Sequence, residues 1–380
     1  MLFTLTEEER MIRKMVHDFS ENEVKPQAES MDRSGLLPGE LIDKIRELGL
    51  FGIPYPVEYG GGGASYLSYI ITVEELSRCC ASTGVMVETH TSLGTEPIFD
   101  YGTPEQKEKY LTRLASGEWI GSFALTEPNA GSDAAGLQTV AVLEGDRWVI
   151  NGSKIFISNA GLASTTIVLA KTDRSAGTRG ISAFIVERDT PGYIVGPPED
   201  KLGIRASKTC ALTFDNLRIP KENILGKPGQ GYKIAMQALD GGRIAIAAQA
   251  LGIAQSAFEE ALQYSRERCQ FGQPIGKFQG VQWHLADMAT EIRAARLLTY
   301  SAARLKEQGL PFTKEAAMAK LYASECSMRC ALKAVQIHGG YGFMMEYPVQ
   351  RHMRDAKITE IYEGTSEIQR LVIANSLLRE

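Results

Sequence analysis

The sequence has no long apolar run, no paired-cysteine motif, no basic excess and no low-complexity stretch, and each absence removes a class of protein. Its longest apolar segments, such as Ile244 to Leu251, fall far short of the ~20 residues that cross a bilayer as a helix, so no membrane span is expected. The six cysteines are Cys79, Cys80, Cys210, Cys269, Cys326 and Cys330. They form no C-x-x-C pair and have no histidine at metal-ligand spacing, so neither a zinc site nor a redox dithiol is indicated and no metal is expected. Cys326 and Cys330 lie one helical turn apart, as buried free thiols commonly do. Basic residues number 41 against 46 acidic ones, a net charge of −5 with no long basic run, which argues against general nucleic-acid binding. The opening Met1-Leu2-Phe3-Thr4-Leu5 turns acidic at Glu7-Glu8-Glu9. It has neither the basic start and apolar stretch of a secretory signal nor the Arg- and Ser-rich look of a transit peptide, so a cytoplasmic protein is expected. Two nucleotide signatures are missing as well. Gly226 and Gly231 have a phosphate-loop offset, but Tyr232 stands where its Lys belongs, and no G-x-G-x-x-G joins a strand to a helix.

What remains is an ordinary soluble composition, 44% apolar and 23% charged, on a chain of 380 residues, long enough for two or three cores. The first third reads as helical. Thr6 and Glu9 form a capping box, and Met11, Ile12, Met15, Val16 and Phe19 follow as one apolar stripe. Leu41, Ile42, Ile45 and Leu48 make a second stripe, stopped by Gly49, and Tyr69, Ile70, Val73 and Leu76 a third. Thr103-Pro-Glu-Gln106 opens a fourth helix.

From Trp119 to about Pro220 the pattern breaks into six short β-rich pieces: 120–125, 140–143, 148–150, 166–170, 181–186 and 210–214. Turn residues such as Gly145-Asp146, Asn151-Gly152 and Pro197-Pro198 separate them. That spacing predicts a small sandwich or barrel. After Gly226-Lys-Pro-Gly-Gln-Gly231, long helical runs return near 232–267, 279–307, 314–337 and 365–378, which predicts an antiparallel bundle. The expected class is α+β and multidomain: an N-terminal helical domain (1–118), a middle β-domain (119–225) and a C-terminal four-helix bundle (226–380).

Five segments carry candidate chemistry. Phe123-Ala-Leu-Thr-Glu-Pro-Asn-Ala-Gly-Ser-Asp133 follows a strand and offers hydroxyls at Thr126 and Ser132 with small residues between, which suits a flat polar ring; the plainer alternative is an Asx/Gly turn. In Lys154-Ile-Phe-Ile-Ser-Asn-Ala-Gly161, Phe156 and Ser158 share one face of an extended chain. Arg266-Glu-Arg-Cys-Gln-Phe-Gly272 sets Arg268 beside Gln270 and Phe271. That arrangement suits a pyrophosphate, or else a solvent-exposed Arg at a helix end. Gln336-Ile-His-Gly-Gly-Tyr-Gly342 ends a helix in close-approach glycines. Ile361-Tyr-Glu-Gly-Thr-Ser-Glu-Ile-Gln369 places Glu363 ahead of the last helix, either as a carboxylate tuned by burial or as a helix-dipole partner.

Taken together, in this order and spacing, these segments resemble the acyl-CoA dehydrogenase family over essentially the whole chain. Tyr59-Gly-Gly-Gly-Gly63, Asp240-Gly-Gly-Arg243 and Arg351-His-Met-Arg-Asp-Ala-Lys357 join the match. Within the family the chain is most similar to the bacterial short-chain, butyryl-CoA type. The resemblance implies a homotetramer with one FAD per subunit. Phe123, Leu125, Thr126, Gly131 and Ser132 would line the flavin, Phe156 and Ser158 completing its pocket with Ser158 near N5. Arg268, Gln270, Phe271, Gln279, Gln336, Gly339 and Gly340 would reach the FAD of a neighbouring subunit, and Thr365 and Glu367 the adenosine end. Ser132, Asp240 and Arg243 would contact the CoA part of the substrate, with Glu363 and Gly364 at the reacting thioester. Many relatives carry Trp where this chain has Phe156, which keeps an aromatic wall.

The implied reaction removes the α-proton at Glu363 and moves a hydride from the β-carbon to flavin N5, giving the trans-2-enoyl thioester. Electrons then pass to an electron-transferring flavoprotein. A ribityl hydroxyl of FAD and the Glu363 amide would polarise the thioester carbonyl, and the bound acyl chain would raise the proton affinity of the base by desolvation. Two alternatives stand beside it. One is an oxidase, or a dehydrogenase of branched, cyclic or dicarboxylic thioesters; some branched-chain relatives carry the base on the helix that here has Gly241-Gly242, which favours straight chains for this sequence. The other is a DNA-binding relative that keeps the flavin, against which the acidic balance and Glu363 both count.

Overall fold

A computed structural model describes residues 4–378, so Met1 to Phe3 of the leader reading lie outside the described residues. The N-terminal part is helical. Helix α1 (Glu7–Phe19) begins at the expected capping box, with Thr6 Oγ1 accepting from the Glu9 amide at 3.2 Å and Glu9 Oε2 accepting from the Thr6 amide at 2.8 Å. Helix α2 (Gly39–Glu47) stops two residues before Gly49, whose φ of +68° turns the chain away. Helix α3 (Tyr66–Cys79) and helix α4 (Ala81–Glu88) are buried around their whole circumference. After α4 a wider helical turn runs from Thr89 to Thr95.

The middle part is one folded sheet of eight strands, two more than the six expected. They are β1 (Gly121–Ala124), β2 (Val140–Glu144), β3 (Arg147–Ser158), β4 (Thr165–Lys171), β5 (Ile181–Glu187), β6 (Tyr193–Pro198), β7 (Thr209–Pro220) and β8 (Ile224–Leu225). The order is β6-β7-β3-β2-β4-β5-β8, with β1 parallel to β4. Trp148 of β3 meets Phe184 of β5 at 5.2 Å between ring centroids, so the two halves of the sheet enclose a core of their own. Pro197 and Pro198, expected to be a turn, are the end of β6. That strand is the edge, where a missing N–H disturbs no ladder on the open side.

The C-terminal bundle is α5 (Gly231–Glu267), α6 (Gln279–Glu307), α7 (Thr313–His338), α8 (Val349–Thr359) and α9 (Ser366–Leu377). Helix α8 escaped the sequence pattern because the face it buries carries His352, Asp355 and Thr359 beside Val349 and Ala356. Apolar periodicity does not reveal a helix whose buried face is half polar. Helix α5 packs against α3, α6, α7 and α8 and is the axis of the molecule.

Two contacts lock the sheet to the helices. Asn159, held at φ +61°, donates to the Met86 carbonyl of α4 at 2.9 Å. His90 accepts from the Gly121 amide of β1 at 3.0 Å, and burial holds it neutral, its pKa pushed down to about 3. Within the sheet, fully buried Lys154 of β3 bonds the Leu125 carbonyl (3.0 Å) and Glu127 (2.8 Å). Glu127 in turn accepts from the Thr139 amide at 3.0 Å, closing the loop that carries Thr126 to Ser132. Burial pushes the Lys154 ammonium down to about 8, with Glu127 opposing. Removing one member of such a pair strands a buried charge at a cost of about 3–5 kcal/mol. Lys154→Ala is therefore expected to lower stability by about 3 kcal/mol in urea unfolding. The double change Glu127→Leu/Lys154→Met should recover much of that loss.

Candidate active site

Glu363 sits in the short link between α8 and α9, and its backbone is in the left-handed region, φ +53°, followed by Gly364 at +97°. Such a conformation in a non-glycine residue costs of order 1–3 kcal/mol and persists only where the surroundings enforce it. Three side chains do so. Gln369 donates to the carbonyls of Glu363 (3.1 Å) and Gly364 (2.8 Å), Lys320 of α7 donates to the Gly364 carbonyl at 2.7 Å, and Arg243 of α5 reaches the Glu363 carbonyl at 3.5 Å. Thr365 caps α9 by accepting from the Ile368 amide at 3.4 Å, and Glu367 stands exposed in the first turn.

Lys320 and Gln369 were not among the residues expected from sequence. A signal for Lys320 existed: it falls on the row of Ala316, Ala323 and Ser327, all buried, where a lysine is out of place without a partner.

The Glu363 carboxyl points at α5. Its Oε2 is sealed from solvent and has no hydrogen-bond partner. A methyl group at Gly242 would overlap that oxygen, its carbon only 2.8 Å from Glu363 Cδ, so the missing side chain is the space the carboxyl occupies. Burial raises the proton affinity of Glu363 well above the ordinary carboxylate range, and the neighbouring Glu88 carboxyl raises it further, while Lys320 and Arg243 pull it down. Glu88, at the end of α4, is fully buried. Ser92 donates to its Oε1 at 2.5 Å and Thr89 to its Oε2 at 3.1 Å. Burial lifts it to about 7, against the hydrogen bonds it receives. Glu88 carried no signal in the sequence reading, because a single Glu at a helix end is unremarkable until the fold buries it.

Asp240 and Arg243 pair with each other at 2.5 Å, and Thr313 donates to Asp240 at 2.7 Å. Beside them Lys306 and Glu96 form an ion pair against Gly241, whose carbonyl accepts from the Tyr66 hydroxyl at 3.1 Å.

The expected flavin segments adjoin: the Ile155 amide donates to the Thr126 carbonyl at 3.0 Å, bringing Thr126 next to Phe156. Phe156 lies at a register shift between Lys154 and Ile157, with φ +61° and 62% of its surface open. Gly131 and Ser132 are exposed and Ser158 is half-buried. Phe123 and Leu125 are instead in the core, 8% exposed, so they form a wall behind the segment. An aromatic ring held outward in a costly backbone conformation, beside free hydroxyls, fits a flat heterocycle with polar edges such as a flavin.

A second group gathers elsewhere. Arg268, Gln270, Gly339 and Gly340 line an open groove of about 560 Å³ with Tyr264 and Tyr341, and its lining does not include Glu363 or Phe156. Phe271 is 94% exposed at the tip of the adjacent hairpin, at φ +53°, and Gln279 and Gln336 are exposed.

Gly242→Ala is expected to displace the Glu363 carboxyl. A shift of about 1 Å in a reacting group costs about 100-fold in rate. The check is single-turnover reaction with a thioester substrate alongside thermal unfolding, which should stay within a few degrees of the parent.

Comparison with known proteins finds relatives along the whole chain. Residues 6–118, 122–217 and 229–378 match the profiles described as the N-terminal, middle and C-terminal domains of acyl-CoA dehydrogenase. The short-chain-specific acyl-CoA dehydrogenase of Clostridium acetobutylicum is 56% identical over 379 residues, covering 100% of both chains. Among solved structures, butyryl-CoA dehydrogenase from Megasphaera elsdenii superimposes with a TM-score of 0.98 at 50% identity over 100% of each chain. A chain in the structure reported for the electron transferring flavoprotein of Acidaminococcus fermentans superimposes at 0.99 with 52% identity, again over 100% of each. With its three domains, its buried carboxylate and this likeness along its full length, the chain belongs to the acyl-CoA dehydrogenase family of oxidoreductases.

Proposed function

We propose that this chain dehydrogenates a straight, short acyl-CoA, of butyryl size, to the trans-2-enoyl-CoA, with Glu363 as the base. The observation that carries the reading is the partnerless Glu363 Oε2 in the space left by Gly242. That oxygen accepts no hydrogen bond among the described residues, and burial raises the proton affinity of the carboxyl, as a base for a carbon acid requires. The same contact leaves no room for a second base on α5, which supports a straight-chain substrate over the branched alternative. The short-chain assignment draws its support from the relatives in C. acetobutylicum and M. elsdenii.

Each protein group has a definable task. Gln369, Lys320 and Arg243 fix the backbone of Glu363, so its carboxyl does not swing when substrate enters. The Glu363 amide has no hydrogen-bond partner among the described residues, which leaves it free to donate to a thioester carbonyl as negative charge builds there. Asp240, Arg243 and Ser132 would receive the CoA portion and Gly364 the thioester. FAD, when bound, supplies the hydride acceptor and a ribityl hydroxyl toward the same carbonyl. Thr126, Phe156 and Ser158, backed by Phe123, Leu125 and the Gly131-Ser132 turn, would hold its ring, with Thr365 and Glu367 at the adenosine end. Arg268, Gln270, Phe271, Gln279, Gln336, Gly339 and Gly340 would meet the FAD of a neighbouring subunit in a homotetramer. The electron acceptor is an electron-transferring flavoprotein and the compartment the cytoplasm. The three units divide at 118/119 and 225/226.

The test is anaerobic titration of the FAD-loaded protein with acyl-CoAs of graded length. Butyryl-CoA should bleach the flavin faster than octanoyl-CoA. Glu363→Gln should keep FAD and lose about 1,000-fold in the rate of bleaching. Bleaching by branched or longer thioesters alone would overturn the substrate, and a variant as fast as the parent would overturn the base.

A further inference from the structure

We propose that Lys154 is a positioning residue for the flavin: its buried ammonium sets the spacing between the Thr126 segment and the Phe156–Ser158 segment that would hold the ring. The inference rests on the FAD-dependent reading above and adds to that pocket a residue that acts from behind its wall.

The two segments run side by side and are tied at three points. Ser122 Oγ donates to the Ser158 carbonyl at 2.9 Å, the Ile155 amide donates to the Thr126 carbonyl at 3.0 Å, and the Lys154 ammonium donates to the Leu125 carbonyl at 3.0 Å. The same ammonium bonds Glu127 at 2.8 Å, so it holds the residues on both sides of Thr126. Glu127 passes the restraint on, because its two oxygens accept from the Gln138 and Thr139 amides at 2.5 and 3.0 Å.

Simple alternation along β3 would turn Lys154, Phe156 and Ser158 to one face. The register shift between Lys154 and Ile157 breaks that alternation. Lys154 is 1% exposed, whereas Phe156 is 62% exposed. One bulge thus sends the ammonium inward to the Thr126 segment and the aromatic ring outward.

Stability alone does not account for a lysine at this place. A buried ion pair can often be replaced by apolar side chains of similar volume with no loss of stability. What an apolar pair lacks is direction. Here two charge-assisted bonds run from one ammonium to the chain before and after Thr126. They fix the distance between the hydroxyl side and the aromatic side of the pocket before any ring arrives. A site formed in advance binds without the entropy cost of ordering its walls.

The experiment is the Kd for FAD of the full-length protein, read from free-flavin fluorescence as the loaded form is diluted, set beside urea unfolding after FAD is stripped. Two double variants remove the ammonium without stranding a charge. They are Glu127→Leu/Lys154→Met and Glu127→Gln/Lys154→Met, the second keeping an acceptor for the Thr139 amide. The more stable of the two should unfold close to the parent, yet its Kd should rise about tenfold or more, the cost of leaving one backbone residue for the ligand to order. Parent stability with the parent's Kd overturns the positioning role and leaves the proposed function intact. If both variants prove less stable than the parent, Glu9→Ala, weakened at the start of α1, is the reference, and an equal rise in its Kd also overturns the role. A parent that takes up no FAD overturns the proposed function itself.

Discussion

The constraint on which the chemistry of this protein depends is the close approach of the α8–α9 link to helix α5. At Gly242 the helix has no side chain, and the Glu363 carboxyl fills that space. A carboxyl so placed is withdrawn from water, and withdrawal lifts its proton affinity above that of an ordinary glutamate. The approach itself is set by packing: α5 is gripped by α3, α6, α7 and α8, so its position is fixed by a large apolar core rather than by the site.

Holding a residue there requires strain, and two other expected site segments carry the same kind. Phe156, Phe271 and Glu363 are all non-glycine residues with positive φ, and each lies in a segment expected to meet cofactor or substrate. Each conformation is unfavourable by of order 1–3 kcal/mol and is maintained by its surroundings. For Glu363 those are Gln369, Lys320 and Arg243; for Phe156 they are the register shift in β3 and the hydrogen bond that ties Ile155 to Thr126. The buried pair of Lys154 and Glu127 anchors the same loop from below, so the face that would receive the flavin ring is pinned at both ends.

The sheet and the N-terminal helices come together at the end of α4. Asn159 joins β3 to Met86, His90 joins β1 to the segment after α4, and Glu88 lies between these two anchors. A carboxyl at that junction is buried, and Ser92 and Thr89 donate to it.

The helices with clean apolar stripes, the capping boxes at Thr6 and Thr103, and most of the strands were legible in the sequence, because their signals are local: a period of 3.6 or 2, a hydroxyl three residues before a Glu or Gln. The five motif segments were legible too, and with them the family. Hidden were α8, whose buried face is half polar, and β6, whose prolines are tolerated only because the strand turned out to be an edge. Also hidden were Glu88, Lys320 and Gln369, single residues far from Glu363 along the chain or plain in type. Local sequence determined which segments would be helix, strand or motif. The tertiary structure alone decided that the Glu363 carboxyl fills the space at Gly242, because burial and distance between residues 121 positions apart are properties of packing and not of any stretch of chain.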